Sequence, residues 1–428
     1  MQHQISLQQY GPHGESMADA IQKCVHCGFC LPSCPTYRDL GEEMDSPRGR
    51  IFLIKEVLEG NLTVDDAAPY IDRCLGCVAC ETSCPSGVPY GQLLTPYRAM
   101  SEKTRSRTWS DRLFRKFILN VLPYPDRLCW ALRGGSMAKR LRFLLPQRMR
   151  QMLDLLPERG TATVSEPPAQ LHAGEVRARV ALLSGCAQKL LAPEIHAATL
   201  RVLARNGVEV VVPEQQVCCG ALAAHTGGLD LAKRFARRNI EAFPTDIDAI
   251  ITNAAGCGSG MHEYGLWLQG EAEEAAGREF AGRVCDISKF LFQIGFKTPP
   301  AYPRPLSVAY HDACHLAHAQ KVRSEPRALL NSIENIELVP IRDADICCGS
   351  AGTYNIEQPE IAKRLGAAKA QAVQQTGADV VVTGNIGCMM QLQSHLENPI
   401  PVLHTIQLLD ACYRRQEIVS PKSPPTDR

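Results

Sequence analysis

The sequence predicts a multidomain α+β protein: an α-helical, cysteine-bearing unit first, then two copies of one α/β unit. Three observations carry this. A four-cysteine pattern occurs twice between residues 24 and 84. From Val176 onward, short apolar runs alternate with helix-like segments, the signature of parallel strands with crossover helices. Cysteine landmarks of that second half recur at almost one offset.

Cys24, Cys27, Cys30 and Cys34 stand in CVHCGFCLPSCP; Cys74, Cys77, Cys80 and Cys84 stand in CLGCVACETSCP. Both read C-x2-C-x2-C-x3-C-P, the spacing of a bacterial-type ferredoxin with two [4Fe–4S] clusters. Three thiolates come from one tight loop and the fourth from the other motif. The expected sets are therefore Cys24, Cys27, Cys30 and Cys84 for one cluster, and Cys74, Cys77, Cys80 and Cys34 for the other. Pro35 and Pro85 follow each fourth cysteine and fix φ there. Structural zinc prefers closed four-ligand knuckles without a second matching set. Cysteines three apart suit a metal better than a bridge, and 19 cysteines is an odd number. The opening MQHQISLQQYGPHGESMADA has no apolar signal core. A reducing, cytoplasmic compartment is expected.

At 428 residues the chain should hold a few domains of on the order of 150 residues each. It is 45% hydrophobic and 21% charged, as soluble globular proteins are. The formal charge of +1 conceals an uneven distribution. Over 98–150 there are 14 Lys or Arg against three acids (Glu102, Asp111, Asp126), a net of +11. No apolar run approaches the ~20 residues that span a bilayer.

The expected organisation has five parts. Residues 1–97 form the two-[4Fe–4S] ferredoxin-type domain, opening on a loose leader or short helix. Its inserted segment SPRGRIFLIKEVLEGN places Ile51, Leu53, Ile54, Val57 and Leu58 at helical spacing and ends at Gly60. Residues 98–175 form a basic helical linker, in which RLFRKFILNVL and KRLRFLLPQRMRQMLDLL mix cationic and large apolar residues. That pattern suits anionic lipid, a partner subunit or a solvated helix face. Pro167, Pro168 and Gly174 mark a flexible connection over 158–175. Residues 176–298 and 299–415 are the two repeats. Their strands are expected at VALLSG, VEVVVP, AIITNA, LSVAYH, IELVP and VVVTGN, their helices at EIHAATLRVLARNG and EIAKRLGAAKAQAVQQTG. The tail, 416–428, is expected to be disordered.

Cys186 recurs as Cys314, the pair Cys218–Cys219 as Cys347–Cys348, and Cys257 as Cys388, at offsets of 128, 129 and 131. Each cysteine follows a strand, and the C-terminal ends of parallel strands gather at one edge where ligands bind. The four thiols of each repeat are therefore expected to converge, with Gly220 and Gly349 letting backbone approach a ligand closely. Cys129, Cys285 and Cys412 are unrepeated and suit buried packing. His311, His315 and His318 flank Cys314. His311 and His315 would share a helix face if the segment were helical, although local hydrogen bonding is the commoner role.

These repeats resemble the cysteine-rich "CCG" domains of heterodisulfide reductases, anaerobic glycerol-3-phosphate dehydrogenase and lactate- or glycolate-oxidising complexes. That family's full pattern is C, then CC, then C-x-x-C. Gly260 and Gln391 stand where its last cysteine would be. Members with all five can hold a non-cubane [4Fe–4S] cluster. For this chain the resemblance leaves one further cluster open, ligated from Cys186, Cys218, Cys219 and Cys257 or from Cys314, Cys347, Cys348 and Cys388. Over nearly its whole length the chain resembles the iron–sulfur subunits of glycolate oxidase (glycolate dehydrogenase). The likeness rests on CVHCGFC, CPTY, DSPRGRI, RCLGCVACETSCPSGV, SGCAQ, CCG, AAGCGSG, CCGSAGTY and NIGC in that order.

The resemblance implies an electron-transfer subunit. Glycolate would be oxidised to glyoxylate on partner subunits, which alone carry FAD, and electrons would pass towards quinone. The basic stretch over 98–150 would touch the cytoplasmic face of the inner membrane. No catalytic residue is expected here, since no G-x-G-x-x-G opens a βαβ unit and there is no Walker motif. Three alternatives stand. One is an iron–sulfur subunit for lactate or glycerol 3-phosphate. Another is a disulfide or quinone reductase of the heterodisulfide reductase type, against which the absent fifth cysteines count. The third is a nucleic-acid-binding metal module, against which 6% aromatic content and a pI near 7.5 count. No nucleic-acid partner is expected.

Overall fold

The computed structural model describes residues 1–138, 175–398 and 400–417. The segment KRLRFLLPQRMRQMLDLL, nearly all of the connection expected over 158–175, and most of the tail lie outside them.

The N-terminal unit is a cluster of short helices around one apolar core. The opening residues are packed, because helix Gly14–Gln22 buries Met17, Ala20 and Ile21. The expected inserted helix runs Pro47–Leu58. Ser46 caps it, its hydroxyl accepting from the Gly49 N–H at 2.9 Å, and Pro47 occupies the first turn where no N–H is missed. Its inner face and helix Tyr90–Thr104 close the core with Ile51, Ile54, Leu93 and Tyr97. Helix Val64–Asp72 starts on a reciprocal Thr63–Asp66 capping box. Helices Trp109–Val121 and Pro125–Ala138 follow.

The second half holds two four-stranded sheets. The first contains β1 (Ala178–Leu182), β2 (Val208–Val211), β3 (Ala249–Thr252) and β4 (Val284–Asp286) in the order β2-β1-β3-β4. The second contains β5 (Leu306–Tyr310), β6 (Ile336–Val339), β7 (Val380–Thr383) and β8 (Val402–His404) in the matching order β6-β5-β7-β8. Every pairing is parallel. The six expected strands are present. β4 and β8, three residues each, were not expected. Strand order reverses at β1 and β5, which opens a crevice at the C-terminal ends beside them. The repeats share a core, for helix Pro193–Arg205 packs on helix Thr405–Tyr413. The Arg201 guanidinium forks onto the Asp410 carboxylate there, at 2.7 and 3.0 Å. Among the described residues no helix is long and apolar enough to cross a membrane.

Candidate metal centres

Each cysteine loop of the N-terminal unit makes the same backbone excursion. Positive φ falls two and four residues after the first cysteine: His26 and Gly28 in one loop, Gly76 and Val78 in the other. Val78, β-branched at φ 50°, is strained there. The outcome is two gathered thiol sets. Cys24, Cys27, Cys30 and Cys84 line one pocket, with Ile51, Val88 and Tyr90 around them. Cys34, Cys74, Cys77 and Cys80 line a second, with Thr36, Arg50 and Leu75. Cys80 also reaches the wall of the first pocket. The two differ in access. Cys27 is exposed and flanked by Val25 and Phe29, 65% and 67% exposed. All four thiols of the second set are buried.

Arg50 is 1% exposed beside the second set. It pairs with Asp45 at 3.1 Å and donates to the Thr36 hydroxyl, the Tyr70 carbonyl and, at 3.7 Å, the Cys34 sulfur. Burial works to raise the Cys74 thiol, but the positive charges of Arg50 and Arg98 hold it below its ordinary range. Burial pushes Cys77 and Cys80 far up, and Cys30 up to about 11. Four convergent thiols fit a metal cluster, whose positive iron turns buried thiols such as Cys30, Cys77 and Cys80 into thiolates. Either set could therefore hold a four-iron cluster.

The thiols of each repeat also converge. Cys186 and Cys218 sulfurs lie 3.6 Å apart, and Cys314 and Cys347 sulfurs 3.8 Å. In both repeats the second member of the pair is held well below the ordinary thiol range. The thiols of Cys218 and Cys257 do this for Cys219; those of Cys347 and Cys388 do it for Cys348. Gly220 and Gly349 are also constrained by conformation and packing. They adopt φ of +86° and +89°, and a Cβ would meet Trp267 at 3.0 Å or the Ala362 carbonyl oxygen at 2.8 Å. Turn conformation and helix packing both demand the glycine.

The second repeat seats the N-terminal unit. Cys314, Cys347 and Tyr354 share an apolar cluster with Leu75 and Cys77. His315 Nε2 bonds the Gly76 carbonyl at 3.0 Å, and its ring stacks on His225 at 5.1 Å. Arg98 donates to the carbonyls of Cys74 and His225. His311 and His315 share no helix, because His311 lies in the loop after β5 and a π-helical turn begins at His315. His318 is satisfied by Thr82, Arg323 and the Asp345 carbonyl. Cys412 is sealed in the shared core, and neither Cys129 nor Cys285 lines either pocket. Arg50, Arg98 and His225 were not singled out from sequence; SPRGRIFLIK holds two arginines, Arg48 and Arg50, and its pattern does not mark which one is buried.

Two family descriptions match the chain. "4Fe-4S dicluster domain" covers 20–88, and "Cysteine-rich domain" (CCG) covers 180–262 and 308–393. A probable glycolate oxidase iron–sulfur subunit of Bacillus subtilis is 37% identical over 88% of this chain and 89% of its own. The glycolate oxidase iron–sulfur subunit of Escherichia coli is 36% identical over 93% and 96%. One subunit of the fumarate reductase (CoM/CoB) from Methanothermobacter marburgensis is 28% identical over 95% and 75%. A solved structure of a hypothetical protein from Helicobacter pylori shares the fold, with TM-score 0.51 at 10% identity over 94% of this chain and 72% of that one. Sequence, fold and gathered thiols agree: the chain belongs to the glycolate oxidase iron–sulfur subunit family.

Proposed function

We propose that the chain is the electron-transfer subunit of a glycolate dehydrogenase. The observation that carries this is the gathering of eight thiols into two sets, one open to the surface and one buried beside it, in a chain of this family. Glycolate gives up two electrons and two protons to FAD on a partner subunit and becomes glyoxylate. Cys24, Cys27, Cys30 and Cys84 hold one [4Fe–4S] cluster; Cys34, Cys74, Cys77 and Cys80 hold the other. Such clusters, when bound, supply one-electron redox chemistry, tuned by net charge, hydrogen bonds to sulfur and burial. Arg50 and Arg98 place positive charge beside the second set. Val25 and Phe29 make an apolar rim beside Cys27 that suits docking of the FAD-bearing partner.

Electrons then leave towards the quinone pool at the cytoplasmic face of the inner membrane. Trp109, Leu113 and Phe117 stand four residues apart on one face of helix Trp109–Val121 and are 77%, 52% and 50% exposed. With the surrounding arginines and lysines they form an apolar, cationic surface suited to anionic lipid. Cys30→Ser or Cys80→Ser in the assembled complex should abolish glycolate-driven quinone reduction. Normal quinone reduction by both variants would show that electrons take another route.

A further inference from the structure

Two of the buried positions at which the repeats differ bear on the thiols. His311 is wholly buried, and neither ring nitrogen has a hydrogen-bond partner, a costly state for an imidazole. One donor atom each of His311, Cys348 and Cys388 lie within 4.8 Å of one another. Asn385 Nδ2 approaches the Cys388 sulfur at 3.4 Å, and Cys314 and Cys347 continue the group. In the first repeat the matching position, three residues before Cys186, is Leu183, buried and apolar. The second difference is Lys369. It lies seven residues after Ala362, the alanine packed on Gly349; seven residues after Ala232, packed on Gly220, stands Asn239. Lys369 is 4% exposed, donates to the Asp343 carbonyl and feels the charge of Cys347 and Cys348. Asn239 instead bonds the Val217 N–H and the Cys218 carbonyl. The second repeat thus combines four thiols, an imidazole and a buried amine; the first has four thiols alone.

We infer that the second repeat, and not the first, holds a thiophilic metal centre, with His311 as its nitrogen ligand beside Cys348 and Cys388. Zinc and cluster iron share this preference for thiolate with imidazole. The amine of Lys369 offsets negative charge from the thiolates. Cys314 and Cys347 touch the apolar cluster that contains Cys77, so the centre adjoins the second ferredoxin-type set. The first repeat's thiols sit in a separate cluster. This inference goes beyond the eight ferredoxin-type thiols and does not depend on glycolate being the substrate.

The test is metal and sulfide content of the full chain purified anaerobically, with pulsed EPR for iron and X-ray absorption for zinc. His311→Leu, which copies the first repeat, should lose about four irons or about one zinc relative to wild type. Cys218→Ser should lose none. His311→Cys should keep the metal but lose nitrogen coordination. A wild-type complement of about eight irons with no zinc overturns the inference. So does a full complement in His311→Leu, or an equal loss in Cys218→Ser. Should His311→Leu fail to fold, His311→Cys decides: unchanged nitrogen coordination at this centre overturns the assignment.

Discussion

Arg50 is a guanidinium sealed inside the N-terminal unit, and its role is electrostatic. It balances Asp45, itself fully buried and also paired with Arg73 at 2.9 Å, it opposes the burial of Cys74, and it donates to the Cys34 sulfur. Removing Arg50 leaves the buried Asp45 with only the half-exposed Arg73 as its counter-charge. Arg50→Met should therefore cost about 3–5 kcal/mol, read as a lower denaturant midpoint with unchanged slope; an unaltered midpoint would refute this role. A second residue-scale prediction concerns acid. Burial pushes His196 and His404 down to about 4, against about 6.5 in an unfolded chain. The unfolded chain takes up protons first, so stability present above about pH 6.5 is lost as pH falls towards 4. His404→Asn, which keeps a capping side chain, should flatten that loss in a pH series of unfolding midpoints. Equal acid sensitivity in variant and wild type would count against it. The cysteines were legible because their spacing is itself the chemistry. Arg50 was not, because nothing in a sequence says which arginine is buried.

At the scale of elements, six of eight strands were legible, as were the longer amphipathic helices Pro47–Leu58, Trp109–Val121, Pro193–Arg205 and Pro359–Gln374; the many short helices between them were not. β4 and β8 were not, since VCD and VLH are too short to show a period, and pairing with β3 and β7 makes them strands. The glycine after each cysteine pair was legible as special, but its packing role was not. Helix packing against Ala232 and Ala362 joins distant segments that no local pattern reports. Gly349→Ala combines a disfavoured φ with a backbone clash, so it should destabilise clearly more than Gly352→Ala. Gly352 has φ +56° and open space around it, so its substitution costs only the left-handed strain of about 1–2 kcal/mol. Comparable midpoints for the two variants would remove packing as the cause.

For the whole molecule, the order of its parts could be read along the chain, while their contacts could not. Gly76 meets His315, and Arg98 bridges Cys74 and His225, across 239 and 127 residues of sequence. The result is a line from exposed Cys27 through the buried second set to the thiols of the second repeat. Helix Trp109–Val121 anchors beside that line through Arg115, which pairs with Glu357, while its exposed Trp109, Leu113 and Phe117 carry the membrane prediction. Trp109→Ser with Phe117→Ser should weaken binding to vesicles containing anionic lipid; equal binding would leave that face without the role. The measurement to make first is iron and acid-labile sulfide per chain on anaerobically purified protein, with EPR of the reduced form. About eight or more irons with matching sulfide, and two interacting [4Fe–4S] signals that Cys30→Ser and Cys80→Ser each diminish, is the expected result. Zinc in place of iron at these eight thiols would contradict an electron-carrying role altogether.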